Sequence, residues 1–281
     1  MARSATASID LAALRHNLQR VREFAPDRKI IAVVKADGYG HGIIEVARSL
    51  NTADLLGVAC IEEAIQLREA GIETGILLLE GFFDSSELAQ IERYDLETVI
   101  HHQLQLDQIC EHSFKQPPSV WIKLDTGMHR LGFEPAQFET VYRQLQQSGN
   151  TRSIRAMTHL ACADEPDNPL TPKQHAALQA ATNAFDINLS VAASASIIGW
   201  PKTHENWVRP GLMLYGVSPF AHQVGADHQL QAAMLFQSKI ISIKAVQRGD
   251  SVGYGASWVA QRDSQIGVIA VGYGDGYPRH A

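Results

Sequence analysis

The sequence predicts an α/β protein: an N-terminal (β/α)8 barrel of the TIM type over residues 1–219, followed by an incomplete all-β domain over residues 220–281. Three observations lead there. Eight short apolar runs alternate with amphipathic helical patterns, the repeating unit of a parallel barrel. Each run is apolar throughout rather than alternating, as in strands covered on both faces. After Pro219 the helical patterns stop, and strand-like segments follow one another through turn-rich connections. A doubly wound open sheet would share the first two features over fewer strands.

The first helix is expected after Asp10, a good N-cap, with Leu11, Leu14, Leu18 and Val21 on one face and Pro26 past its end. The run 29–34 is the first strand and leads into Lys35, ahead of a helix over 43–50. Further strands are expected over 55–59, 75–79, 96–100, 120–124, 154–159, 189–194 and 207–209. Asp84-x-x-Glu87 and Thr171-x-x-Gln174 read as capping boxes, the second with Pro172 at the first helical position. Phe138, Val141 and Leu145 form an apolar stripe that Gly149 can close with a left-handed cap. Residues 197–205 read poorly as a helix. In the β domain, 232–246 and 266–271 read as strands. The chain stops soon after the second, which suggests a longer parent protein.

Composition narrows the function. The 281 residues are 45% hydrophobic and 19% charged, with a net charge of -6, so the chain is globular and mildly acidic. That balance argues against nucleic acid or an anionic membrane as the main partner. Cys60, Cys110 and Cys162 are widely spaced, with neither a CxxC pair nor zinc-type spacing, and read as free thiols. No signal peptide and no apolar run of ~18 residues is present, which predicts a cytoplasmic location.

Barrel enzymes place their chemistry at the carboxyl ends of the strands. The polar residues expected there are Lys35, Lys123, Arg130, His159, Ser194 and Arg209. Such a set suits an anionic, phosphorylated ligand better than a metal, because it is poor in carboxylates. Lys35 follows a buried strand and precedes a Gly-rich turn. A partly desolvated amine beside other cations is suited to Schiff-base chemistry, although a lone lysine at a strand end commonly just snorkels to water. Arg209-Pro210-Gly211-Leu212 reads as a strand entering a short helix, with Pro210 first in the helix and the Gly211 and Leu212 N–H groups pointing outward to an anion. Tyr254, between two glycines, is either a general acid/base or an ordinary turn aromatic. The pair His101-His102 reads as a solvated strand end and not as metal ligands.

Six segments in order resemble one family: AVVKADGYGHG (32–42), WIKLDTGMHRLGF (121–133), MTHLACADEP (157–166), NWVRPGLMLYGVSP (206–219), VGYGASW (252–258) and VGYGDGYP (271–278). The chain is similar to bacterial alanine racemases, fold-type III pyridoxal 5'-phosphate (PLP) enzymes. The resemblance implies two-base interconversion of L- and D-alanine, supplying D-alanine for peptidoglycan, by a cytoplasmic homodimer with shared sites. It implies that Lys35 bonds PLP, and that Tyr254 is the opposite base, reaching the cofactor of the other subunit. Tyr39, Ser194 and the Gly211 and Leu212 amides match the phosphate cradle. Arg209 matches the arginine at the pyridine nitrogen, where a fixed positive charge keeps the ring a weaker electron sink. Arg130 matches the arginine near the substrate carboxylate. Lys123 matches a lysine that is carbamylated in some members, and His159 matches a histidine that links Arg209 to Tyr254.

The chain departs from the pattern in two places. Ala193-Ser194-Ala195-Ser196 replaces a more usual Asn-Ser-Ala-Ala. The chain also ends at Ala281, where the family's β domain continues with a Met-Asp segment and a late tyrosine. The alternatives that follow are a PLP-binding remnant made inactive by that loss, and a broader serine/alanine racemase.

Overall fold

A computed structural model describes residues 4–278. The chain begins with β1 (Thr6–Ile9), a strand the sequence pattern did not suggest. Asp10 then caps the first helix, its carboxylate accepting from the Ala12 and Ala13 N–H groups at 2.8 and 3.1 Å.

Eight strands follow: β2 (Lys29–Val33), β3 (Leu55–Val58), β4 (Gly75–Leu78), β5 (Leu96–Ile100), β6 (Ser119–Lys123), β7 (Ser153–Met157), β8 (Leu189–Ala193) and β9 (Trp207–Arg209). All pair in parallel, and β2 closes on β9 through Lys29↔Trp207 and Ile30↔Val208, so the sheet is a complete barrel. The helices are α1 (Leu11–Phe24), α2 (Ile43–Ser49), α3 (Ile61–Glu69), α4 (Leu88–Arg93), α5 (Gln103–Glu111), α6 (Phe138–Ser148), α7 (Leu170–Thr182) and α8 (Ser194–Gly199).

Strand alternation divides the apolar residues into two cores. Ile30 and Ala32 of β2 join the outer layer with Leu14, Leu18 and Val21 of α1. Ile31 faces the barrel interior, with Leu55, Leu77, Val99, Trp121, Met157 and Trp207. At the amino end, one turn of the alternation below that layer, Arg155 pairs with Glu97 at 2.6 Å and Trp121 Nε1 donates to the same carboxylate at 2.6 Å. The Arg155 guanidinium lies 5.1 and 5.3 Å from the Trp121 and Trp207 rings, so this end of the barrel is plugged.

The expected stripe of α6 is buried as Phe138, Val141 and Leu145, and Gly149 takes the left-handed cap at φ 68°. The Asp84–Glu87 capping box forms. The Thr171–Gln174 box does not. Helix α7 starts earlier, at Leu170, whose N–H is accepted by Asn168 Oδ1 at 2.9 Å, so Thr171, Pro172 and Gln174 all lie inside the helix. The reason is tertiary: the Gln174 amide is engaged by the barrel mouth.

Asp10–Ala233 forms one compact unit, and the segment ending at Ile9 together with that from Met234 onward forms the other. This division lies past the 219/220 boundary the sequence suggests, because Leu230 and Ala233 are buried in the barrel's outer core. In the second unit β1 pairs antiparallel with β10 (Met234–Gln237). The expected strand over 232–246 is split there: β11 (Ile240–Val246) is separate, and pairs with β14 (Ser264–Ile269). Between them, β12 (Ser251–Val252) pairs with β13 (Trp258–Val259). Among the described residues no helix is long and apolar enough to cross a membrane.

Candidate active site

The alternation that builds the interior core also builds the site. Two residues beyond Ile31, Leu77, Trp121, Met157 and Trp207, the same face presents Val33, Leu79, Lys123, His159 and Arg209 at the carboxyl ends of their strands. These side chains line a cavity of about 470 Å³, together with Lys35, Tyr39, Arg130 and Ser194 and the backbone at Gly211 and Leu212. Every barrel residue singled out from the sequence is therefore in one lining, which comes wholly from the barrel unit. Tyr254 belongs to the β unit, where it is 80% exposed between Gly253 (φ 82°) and Gly255 (φ 71°). Glu80 is the one carboxylate of the lining, against Lys35, Lys123, Arg130 and Arg209.

Lys35 enters a turn of unusual hand. Ala36, Asp37, Gly38 and Tyr39 all have φ between 53° and 61°, four consecutive left-handed residues of which only one is glycine. Each non-glycine there costs about 1–2 kcal/mol. The turn is held at both ends. Glu63 accepts from Ala36 N–H at 2.6 Å, and Asp37 Oδ1 accepts from Ile43 N–H at 2.8 Å. Gly38 N–H reaches back to the Val34 carbonyl at 2.8 Å. A Cβ on Gly38 would stand 3.0 Å from Val46, so glycine is needed for space as well as for φ. The outcome is that Tyr39 turns into the cavity. Its ring stacks on Tyr215 at 4.6 Å, and Tyr215 Oη donates to the Val33 carbonyl at 3.1 Å. Burial pushes both phenols up, Tyr215 the further.

Arg209 is buried and is held by neutral acceptors: Ser190 Oγ at 2.7 Å, the Thr158 carbonyl at 2.6 Å and the Val191 carbonyl at 3.3 Å. Burial lowers its pKa to about 10, which leaves it charged at neutral pH. Its Nη2 also lies 3.5 Å from His159 Nδ1. Burial first, and then the charges of Arg209, Arg130, Lys123 and Lys35, push His159 down to about 3, so its imidazole is neutral. The same two causes bring Lys123 down to about 8, with Glu80 opposing them. Arg130 sits on a loop that folds back on β6: Phe133 N–H donates to the Lys123 carbonyl and Asp125 N–H to the Phe133 carbonyl, at 2.9 and 2.8 Å. The Asp125 carboxylate gathers the N–H groups of Gly127, Met128 and His129.

The segment after β9 differs from expectation. Pro210 is not the first residue of a helix, since a single 3-10 turn begins only at Leu212. Gly211 N–H points not outward but to Ser194 Oγ at 3.0 Å, and Met213 N–H reaches the same oxygen at 3.3 Å. Ser194 accepts in both bonds, which leaves its hydroxyl proton to a ligand. A Cβ on Gly211 would stand 2.7 Å from Tyr39 Oη, so the glycine makes room for the phenol.

The residues that hold the site were not singled out in the sequence for that role: Glu63, Thr158, Gln174, Ser190 and Tyr215. Small hydroxyls in or just past a strand, such as Ser190 and Thr158, give no local signal, and of the five only Thr158 and Tyr215 fall inside the motifs above. His102 caps α5, its Nδ1 accepting from Gln105 N–H at 3.4 Å, and His101 donates to the Glu80 carbonyl at 3.1 Å. Among the described residues no group of three or more His, Cys, Asp or Glu side chains is placed to hold a metal ion.

Residues 9–219 match the family model of the alanine racemase N-terminal domain, and residues 233–281 that of the C-terminal domain. The chain belongs to the alanine racemase family. It is 48% identical over 280 residues to an alanine racemase of Shewanella denitrificans, covering 98% of this chain and 77% of that protein. It is likewise 48% identical over 280 residues to the biosynthetic alanine racemase of Escherichia coli K12, covering 99% of this chain and 78% of that one. Among solved alanine racemases, that of Pseudomonas aeruginosa superposes with a TM-score of 0.94 at 41% identity, over 99% of this chain and 78% of its own. That of Bartonella henselae, solved with covalently bound pyridoxal phosphate, superposes with a TM-score of 0.85 at 26% identity, over 99% and 78%.

The alanine racemase family makes PLP the group to test against this site. PLP carries a phosphate and an aldehyde, and the donors fit both. Four cations, the amines of Lys35 and Lys123 among them, and the Ser194 and Tyr39 hydroxyls face a cavity in the size range of small-molecule sites, in one lining with the cradle that Gly211 keeps open.

Proposed function

We propose that the chain interconverts L- and D-alanine with PLP held in the barrel cavity, and that Tyr254 acts in the site of a second copy. The observation that supports this most is the convergence of Lys35 with three further cations and the Ser194–Gly211 cradle on one cavity. Tyr39 and Ser194 would hold the phosphate through their hydroxyls, with the Gly211 and Leu212 backbone closing the cradle. Arg209 would face the ring nitrogen, its charge kept by neutral partners. Lys35 would hold PLP until the alanine amine takes its place, which leaves Lys35 Nζ free, and PLP would supply an electron sink that makes the alanine Cα–H acidic.

The chain's own groups do the rest. Arg130 holds the substrate carboxylate and so fixes which face of Cα meets Lys35. Lys35 Nζ takes or returns the proton on that face, and the Tyr254 phenol does so on the other. Lys123, with a neutral fraction at ordinary pH, can combine with carbon dioxide, releasing one proton and giving a carbamate that pairs with Arg130. Neutral His159 relays hydrogen bonding from Arg209.

Alanine α-proton exchange in deuterated water, followed by NMR with PLP present, tests the reading. Both enantiomers are expected to exchange, Lys35→Ala to abolish exchange, and Tyr254→Phe to slow exchange of the enantiomer whose proton faces Tyr254 by about 10²–10⁴-fold while the other still exchanges. Mixing these two variants tests the shared site: a mixed dimer regains one intact Lys35–Tyr254 pair, so activity should return. No exchange by the wild type, or exchange untouched by Lys35→Ala, would overturn the proposal. No recovery on mixing would overturn its shared-site part.

A further inference from the structure

Gln174 is fully buried on α7, and its amide makes three hydrogen bonds to the barrel mouth. Its Oε1 accepts from Ala161 N–H at 2.9 Å. Its Nε2 donates to the His159 carbonyl at 3.1 Å and to Thr126 Oγ1 at 3.4 Å. Its stem packs where Gly127 has no side chain, 3.5 Å from the place a Cβ would take. Three bonds from one side chain thus join the turn that carries His159 to the start of the loop that carries Arg130.

Proton bookkeeping gives the network one direction. The Thr158 hydroxyl donates to the Leu124 carbonyl at 2.9 Å. The Thr126 hydroxyl therefore donates to Thr158 Oγ1, 2.8 Å away, and accepts from Gln174. The Thr158 carbonyl in turn receives Arg209. Each of these groups is satisfied, so a change at Gln174 leaves buried donors or acceptors unmatched at both arms.

We infer that Gln174 is a positioning residue of this site, which sets His159 and the Arg130 loop at a fixed spacing about Arg209 through Thr126 and Thr158. The inference rests on the reading of the cavity as the racemase site. It assigns a role in turnover to a helix residue that touches neither cofactor nor substrate.

The test uses Gln174→Met, which keeps volume but removes the amide, and Thr126→Val, which breaks the middle link and leaves the Gln174 bonds to residues 159 and 161 in place. In the protein without PLP, ¹⁵N-histidine NMR reads the His159 ring, assigned with His159→Gln. Both variants are expected to shift or broaden those signals. With PLP bound, kcat/KM for alanine should fall about 10–100-fold, since small misplacements of site groups cost that much. The thermal midpoint of Thr126→Val should stay within a few degrees of the wild type. Unmoved His159 signals in both variants, or turnover within about twofold of wild type, would show Gln174 to be a core residue only. Should Gln174→Met fail to fold, Thr126→Val decides by the same two readouts. Should the wild type fail to turn over alanine, the functional reading is lost, and the His159 signals still decide the positioning role.

Discussion

The Arg209 guanidinium donates to Ser190 Oγ at 2.7 Å, and the Ser190 hydroxyl passes its own proton to the Trp207 carbonyl at 2.9 Å. A buried cation is thus held by a hydroxyl and two backbone carbonyls, with no carboxylate in the set. Its charge is not cancelled locally, and the field is left to the cavity. Ser190→Ala removes one charged hydrogen bond and leaves the guanidinium short of an acceptor. Unfolding in denaturant should show a loss of about 1.5–3 kcal/mol. A variant as stable as the wild type would mean that Arg209 finds another acceptor at no cost.

Gly211 and Tyr39 compete for one space. In Gly211→Ala the new Cβ meets Tyr39 Oη at 2.7 Å, and Cζ at 3.5 Å. The phenol must move, and PLP affinity should fall about tenfold or more in an absorbance titration. Tyr39→Phe removes the atom that is struck. The double variant should then bind PLP no more weakly than Tyr39→Phe alone, a non-additive pair as expected for groups in contact. Additive losses would count against this account.

Lys123 makes a pH prediction. Its pKa is lowered in the folded protein to about 8, from 10.5, by burial and neighbouring cations. Between these values the unfolded chain holds a proton that the folded chain has released, so stability rises with pH across this window. Below about 8 both states are protonated, and the penalty for the buried ammonium is constant. In carbon-dioxide-free buffer at pH 7, Lys123→Met should therefore be more stable than the wild type, by about 1–3 kcal/mol. Its advantage should shrink as pH rises through the window, and Lys123→Met should turn over alanine more slowly than the wild type. Denaturant unfolding at pH 7 and pH 10 checks the sign.

Glu63 holds two strand ends at once. One oxygen accepts from Ala36 N–H at 2.6 Å and the other from Ala59 N–H at 2.8 Å. A glutamine side chain has a single acceptor oxygen, so in Glu63→Gln one of these N–H groups faces an NH2. The left-handed turn at 36–39 should loosen, and amide hydrogen exchange there should quicken by about tenfold, a local opening cheaper by about 1.4 kcal/mol. Unchanged exchange would show the turn to be held by its other bonds alone.

Much of this was legible in the chain, wherever the physics is local. The barrel strands lie within a residue or two of the apolar runs, because an unbroken apolar run is what a strand covered on both faces requires. Asp10, Gly149 and the Asp84–Glu87 box act as read, since a cap needs only N–H or carbonyl groups within a few residues. The cavity residues follow too, because strand ends and period two place Lys123, His159 and Arg209 on one rim. β1 escaped notice because its partner, β10, lies more than two hundred residues away. Thr171-x-x-Gln174 misled for the same reason, since its local pattern is sound and its outcome is set elsewhere.

Short contiguous patterns in the chain carry the order of strands and helices, the parallel barrel and the family resemblance. Which polar groups answer one another came from the closed barrel alone: Ser190 to Arg209, Glu63 to Ala36, Gln174 to His159 and Thr126. A buried polar atom takes whichever partner the fold brings within about 3 Å, and that proximity arises only when the barrel closes.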